Sequence, residues 1–129
     1  MMREGMTYEA FAKVSQENTA QQMGSGGLRV YATPALVALM ESAAYQLAQG
    51  ELEEGKTSVG IEMNVKHMAA TPVGMEVHAK ATLTKIDGKK LYFSIEAFDE
   101  KVQIGSAEHI RYVVDGESFQ KRADEKRNG

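Results

Sequence analysis

The stretch Thr33-Pro34-Ala35-Leu36-Val37-Ala38-Leu39-Met40-Glu41-Ser42-Ala43-Ala44-Tyr45-Gln46-Leu47-Ala48 decides the fold. A threonine and a proline precede a run of strong helix formers, and Gly50 ends it. This predicts a long helix with Thr33 as N-cap and Pro34 at the first helical position. Its first two turns are apolar on every side, so the helix is expected to be buried all round.

The segments flanking the helix have another rhythm. Met6, Tyr8, Ala10, Ala12 and Val14 alternate with other residues and predict a first strand. Gln16 to Gly27 is rich in Gln, Asn and Gly and predicts a loop without regular structure. From Thr57 the period is two, and four strands follow with no second helix between them. The first sets Val59, Ile61, Met63, Val65 and His67 against Ser58, Gly60, Glu62, Asn64 and Lys66. The second sets Met75, Val77, Ala79, Ala81 and Leu83 against Glu76, His78, Lys80, Thr82 and Thr84. Asp87-Gly88 marks a tight hairpin turn. The third turns Leu91, Phe93, Ile95 and Ala97 inward, and the fourth runs from about Val102 to Val114 with a bulge at Gly105-Ser106. The tail after Gly116 is charged and without period, which predicts a frayed end.

One strand, one buried helix and a four-stranded antiparallel meander make an α+β domain over residues 1–129, a hotdog fold in which the sheet wraps one long central helix. A sheet of this size covers one side of the helix, so a second copy is expected to cover the rest as a homodimer.

The composition narrows the function. The chain has 129 residues, 18 acidic and 15 basic residues and a net charge of −3, so no basic field is available to hold a nucleic-acid backbone. There is no cysteine, which removes disulfides, thiolate metal sites and a cysteine nucleophile. The longest apolar run, Ala35 to Met40, is too short to span a bilayer, and the N-terminus has no apolar signal core. A soluble cytoplasmic protein is expected. Three scattered histidines show no ligand spacing, so no metal site is expected.

Glu41 is the most informative polar residue, being the only charge between Arg29 and Glu51 and lying two turns into an apolar helix. Burying an ionised carboxylate costs several kcal/mol, roughly, unless partners compensate. The alternatives are a side chain that reaches solvent or caps a loop, and one retained for chemistry. His67 falls in phase with Val59 to Val65 and so points to the apolar face. Alone, such a histidine is more often a core residue; beside Glu41 it makes an acid–base pair usable near neutral pH. Thr33 has a structural explanation as a cap, and its hydroxyl at a helix N-terminus can also serve a substrate. Thr33 and Glu41 stand roughly 12 Å apart along a regular helix. They act together only if Thr33 lies in a folded-back loop, a substrate spans the gap, or two subunits share the site. Gly60 faces away from His67 by strand alternation, yet its N–H could polarise a carbonyl, and a glycine there also fits a bulge. His109 and Arg111 share a face of the last strand and read as a solvated ladder.

Four blocks carry a resemblance: Tyr31-Ala32-Thr33; Val37-Ala38-Leu39-Met40-Glu41; His67-Met68-Ala69-Ala70-Thr71-Pro72-Val73-Gly74; and Ile104-Gly105-Ser106 leading to His109 and Arg111. In these blocks, from about Arg29 on, the sequence resembles the hotdog thioesterases similar to fluoroacetyl-CoA thioesterase. The resemblance implies a catalytic group of Thr33, Glu41 and His67, with Gly60 contacting the thioester carbonyl and Arg111 near the site or supporting it. It implies hydrolysis of an acyl-CoA with no cofactor beyond the CoA of the substrate, Glu41 attacking the carbonyl or activating water and His67 carrying protons. The segment before Thr33 departs from the family. It is short and glycine-rich where the fluoroacetyl enzyme has a longer lid bearing aromatic residues, which implies a different small or medium acyl group. Two other functions use the same pocket, namely a non-catalytic acyl-CoA-binding hotdog protein and a hotdog enoyl-CoA hydratase or dehydratase.

Overall fold

A computed structural model describes residues 1–129. The chain runs through β1 (Thr7–Lys13), a short helix α1 (Ala20–Met23), the long helix α2 (Thr33–Gln49), β2 (Lys56–His67), β3 (Glu76–Asp87), β4 (Lys90–Phe98), β5 (Gln103–Asp115) and α3 (Gly116–Glu125). All five strands join one antiparallel sheet in the order β1-β3-β4-β5-β2. The turn Gly88-Lys89 closes the Asp87–Lys90 pair, with Gly88 at φ 61°, a left-handed value that glycine adopts without strain. Both β1 and β2 are edge strands, and α2 packs across one face of the sheet between them.

The core lies between α2 and that face. Leu36, Leu39, Met40, Ala43, Ala44, Leu47 and Ala48 meet Val77, Ala79, Ala81 and Leu83 of β3, Leu91, Phe93, Ile95 and Ala97 of β4, and Ile104 and Ala107 of β5. The inward parity expected for β3 and β4 is the parity found. Each large side chain buried this way contributes about 1.5–3 kcal/mol. Alanines on both surfaces, together with Gly105, let the helix come close. A β-carbon on Gly105 would stand 3.0 Å from Leu36 Cδ2 and 3.2 Å from Met40 Cε.

Five expectations meet the structure, and the last four of them need correction. First, the chain by itself buries one side of α2, as is expected of a single sheet: Thr33, Pro34 and Ala38 are exposed, Val37 is half-buried and Tyr45 is 40% exposed. Second, Thr33 is the first helical residue and not the cap. Ala32 holds the cap position with extended backbone and no side-chain bond, and Pro34 comes second. Third, Gln16–Gly27 is not an irregular loop. Thr19 accepts a hydrogen bond from the Gln22 N–H, and Gly24 closes α1 in the left-handed region at φ 75°; good caps at both ends offset a composition poor in helix signals. Fourth, the irregularity in β5 is at Ile104, one residue before the expected bulge, since Phe98 pairs with Gln103 and Ala97 with Gly105. Fifth, the tail is helical. Asp115 Oδ1 accepts from the Ser118 N–H at 3.0 Å and starts α3, so α3 rests on its cap rather than on a core.

Candidate active site

α2 and β2 run antiparallel and cross. At one end Gln49 is bonded to Thr57 and to the Lys56 carbonyl, in the middle Glu41 faces Gly60, and at the other end Thr33 meets His67. This crossing distributes the candidate residues into two groups.

The first group is at the start of α2. Thr33 Oγ1 and His67 Nδ1 share a hydrogen bond of 2.7 Å, and His67 Nε2 is buried without a partner. Burial lowers the imidazole pKa from its ordinary value, opposed by a backbone bond to Ala69, so the ring is neutral near pH 7 and able to accept a proton. The pair opens into a cleft of about 260 Å³ walled by Tyr31, Met68, Ala69 and Ala70 and by Ala20, Ser25 and Val30 from the preceding segment. Tyr31 is buried and its hydroxyl donates to the Ala35 carbonyl at 3.2 Å. Burial pushes that hydroxyl up to about 12, which keeps it a donor bracing the first turn of α2.

The second group lies two turns further on and depends on a bulge. The β2–β5 register shifts between Gly60 and Glu62, leaving Ile61 as the extra residue, 52% exposed. An extra residue inverts strand parity. Ser58 and Gly60 therefore face α2 before the bulge, and Met63 and Val65 pack inward after it. Val59 and Ile61 do not share the face of His67 as expected, and Gly60 does not face away from α2. A β-carbon on Gly60 would stand 2.9 Å from Glu41 Oε2, 3.1 Å from His109 Cε1 and 3.4 Å from Arg111 Nη1. Only glycine leaves room for these three groups to converge.

His109 and Arg111 are not a solvated ladder: they are 1% and 6% exposed. Arg111 Nε donates to Ser58 Oγ at 2.7 Å, Nη2 to the Ser58 carbonyl at 2.9 Å, and Nη1 to His109 Nε2 at 3.2 Å. The guanidinium also stands 5.6 Å from the Tyr45 ring centre. An arginine has only donors, so His109 Nε2 is the unprotonated nitrogen and Nδ1 donates to the Glu62 carbonyl at 2.8 Å. Burial first, and the charge of Arg111 after it, lower the His109 pKa, against the opposing pull of the Glu62 bond and Glu41. Burial also lowers that of Arg111, while Glu41 and Tyr45 act to raise it.

The expected residues thus fall into two sets: Thr33 with His67, and Glu41 with Gly60 and Arg111. Thr33 belongs to an unbroken helix reaching Gln49, so a folded-back Thr33 loop is ruled out and the roughly 12 Å between Thr33 and Glu41 stands. His109 and Ser58 were missed as site residues. Their signal was parity, because His109 and Arg111 are in phase with the small residues Gly105 and Ala107. No group of three or more histidine or carboxylate side chains is arranged to hold a metal ion.

Residues 14–117 match the family described as fluoroacetyl-CoA-specific thioesterase. The fluoroacetyl-CoA thioesterase of Streptantibioticus cattleyicolor is 37% identical over 97 residues, which are 75% of this chain and 70% of the relative. A solved structure of a fluoroacetyl-CoA thioesterase superposes with a TM-score of 0.91 at 31% identity, covering 98% of both chains. A variant of such an enzyme in complex with fluoroacetate and CoA gives 0.86 at 32% identity, covering 92% of this chain and 99% of the other. The α+β hotdog architecture expected from the order of elements is the one these thioesterases share. With the family matched across most of its length and the fold matched across nearly all of it, the chain belongs to the fluoroacetyl-CoA-specific thioesterase family and is an acyl-CoA thioesterase, hydrolysing a thioester to the free acid and CoA.

Proposed function

We propose that the enzyme hydrolyses a small or medium acyl-CoA through Thr33, Glu41 and His67, with Gly60 and Arg111 serving the substrate and the carboxylate. The observation that carries this reading is the 2.7 Å bond between Thr33 and His67 at the mouth of a cleft, with the second imidazole nitrogen unpartnered. Thr33 fixes the ring, and His67 transfers the proton that the departing thiolate needs. Glu41 attacks the thioester carbonyl or takes a proton from the attacking water. The Gly60 N–H polarises the carbonyl oxygen. A small or medium acyl group fits a cleft of about 260 Å³ to which residues 16–30 contribute only Ala20, Ser25 and Val30.

The test is free-thiol release from acyl-CoA compounds of increasing chain length. Glu41→Ala and His67→Ala should each lower kcat by about 10²–10⁴-fold, the usual contribution of a positioned acid or base. Parent-like rates in both variants would remove them from the site.

The working unit in this reading is a cytoplasmic homodimer of one-domain chains. Support for the second copy comes from the apolar side of α2 that the sheet leaves uncovered, at Pro34, Val37, Ala38 and Tyr45, and from the unpaired edge of β2. A thioester lying along α2, or a second subunit, brings Glu41 and His67 to one carbonyl. Light scattering should give twice the chain mass. Mixed dimers of Glu41→Ala and His67→Ala chains regain activity only if the site is shared between subunits.

A further inference from the structure

We propose that His109 and Ser58 are positioning residues that clamp the guanidinium of Arg111 toward Glu41. The inference rests on the reading of Glu41 as the reacting carboxylate and adds how that carboxylate is aimed. Three donors of Arg111 are committed, two to Ser58 and one to His109. All three residues are buried, at 6%, 4% and 1% exposure, where a charged side chain held by several bonds keeps one orientation. That orientation places Nη1 3.4 Å from the point where Gly60 lacks a β-carbon, and Glu41 Oε2 stands 2.9 Å from the same point.

The clamp works because His109 is fixed as an acceptor. Were its Nε2 protonated, it would oppose the Arg111 N–H instead of receiving it. The Glu62 carbonyl favours the other tautomer by accepting a hydrogen bond from the Nδ1–H at 2.8 Å. Glu62 is the residue directly after the bulge at Ile61. The bulge therefore has two effects: it turns Ser58 and Gly60 toward α2, and it presents the carbonyl that sets the His109 tautomer.

The alternative is that Ser58 and His109 only satisfy a buried arginine, with no consequence for Glu41. Steady-state thiol release and thermal melting of Ser58→Ala, His109→Phe and His109→Gln, each alone and combined with Glu41→Gln, separate the two. Positioning predicts that Ser58→Ala and His109→Phe lower kcat roughly tenfold, the size of one lost bond to a charged group, and leave KM unchanged. His109→Gln keeps an acceptor for Nη1 and should recover most of the rate. In the Glu41→Gln background neither change should lower the residual rate further. The inference is overturned if the folded single variants turn over like the parent, whatever their melting temperature, or if they reduce the Glu41→Gln rate by the same factor. If His109→Phe does not fold, Ser58→Ala and His109→Gln give the same decision. A Glu41→Gln enzyme as fast as the parent would instead overturn the reading of Glu41 itself.

Discussion

At the start of α2, Thr33 and His67 meet in an open cleft with one imidazole nitrogen free, whereas two turns further on Arg111, Ser58 and His109 are closed over, with His109 bonded through both ring nitrogens. The same helix and the same strand build both places. What differs is how much polar chemistry is left unspent. A group that is to exchange a proton needs a free nitrogen near a cleft, while a group that is to hold a charge in one place needs its bonds filled. In the proposed reading, the proton-exchanging pair and the bonds that hold Arg111 beside Glu41 are thereby separated along one helix.

Substitutions test that contrast, and the largest stability effect should come from the closed end. Arg111→Ala leaves buried Ser58 and His109 without the donor they share, and a loss of about 3 kcal/mol in chemical denaturation is expected from the unsatisfied groups, together with most of the activity. Gly60→Ala is next. A β-carbon 2.9 Å from Glu41 Oε2 forces the carboxylate aside, and overpacking of this kind costs about 1–3 kcal/mol; the expected sign of displacement is a kcat that falls by more than stability alone accounts for. Thr33→Ala, at the open end, should lower kcat by about one hydrogen bond's worth, roughly 1 kcal/mol in the barrier, with the melting temperature near that of the parent because Thr33 is exposed. A Thr33→Ala protein as unstable as Arg111→Ala would erase the distinction between the two ends.

The smallest effect is on pH. His67 and His109 both have folded-state pKa values below 6.5, so the unfolded chain takes up more protons as acid is added. Their contribution to stability is fully present above about pH 6.5 and is lost as pH falls through that value toward the folded pKa values. Melting between pH 8 and 5 should show the decline, and His67→Ala and His109→Gln should each remove part of it. Asp99 and Asp115, both lowered from 3.8, act in the same direction only in stronger acid, which keeps the two windows apart. A flat profile between pH 8 and 5 would contradict the lowered histidines at both ends.

Much of this architecture is legible in the residues. Helix and strand periods differ enough that α2 and the inward faces of β3 and β4 follow from the spacing of apolar side chains. Glu41 stands out because a lone charge in an apolar run is costly. β2 misleads for a physical reason: Val59 and Ile61 continue an apolar alternation, yet one extra residue at Ile61 inverts it, and bulges carry no composition of their own. His109 and Arg111 mislead because polar side chains suggest solvent, although their parity with Gly105 and Ala107 points inward. α3 has no apolar stripe to announce it, because its start is set by the Asp115 cap.

The sequence by itself determined the order of β1, α2 and the four later strands and most of the polar residues worth a role, since both follow from local spacing and from the cost of charge among apolar neighbours. Only the tertiary structure decided who meets whom. Contact between Thr33 and His67, and the convergence of Glu41, Gly60, His109 and Arg111, depend on the crossing of α2 over β2 and on one bulge in the β2–β5 register. These are properties of how distant segments pack, and no local period encodes them.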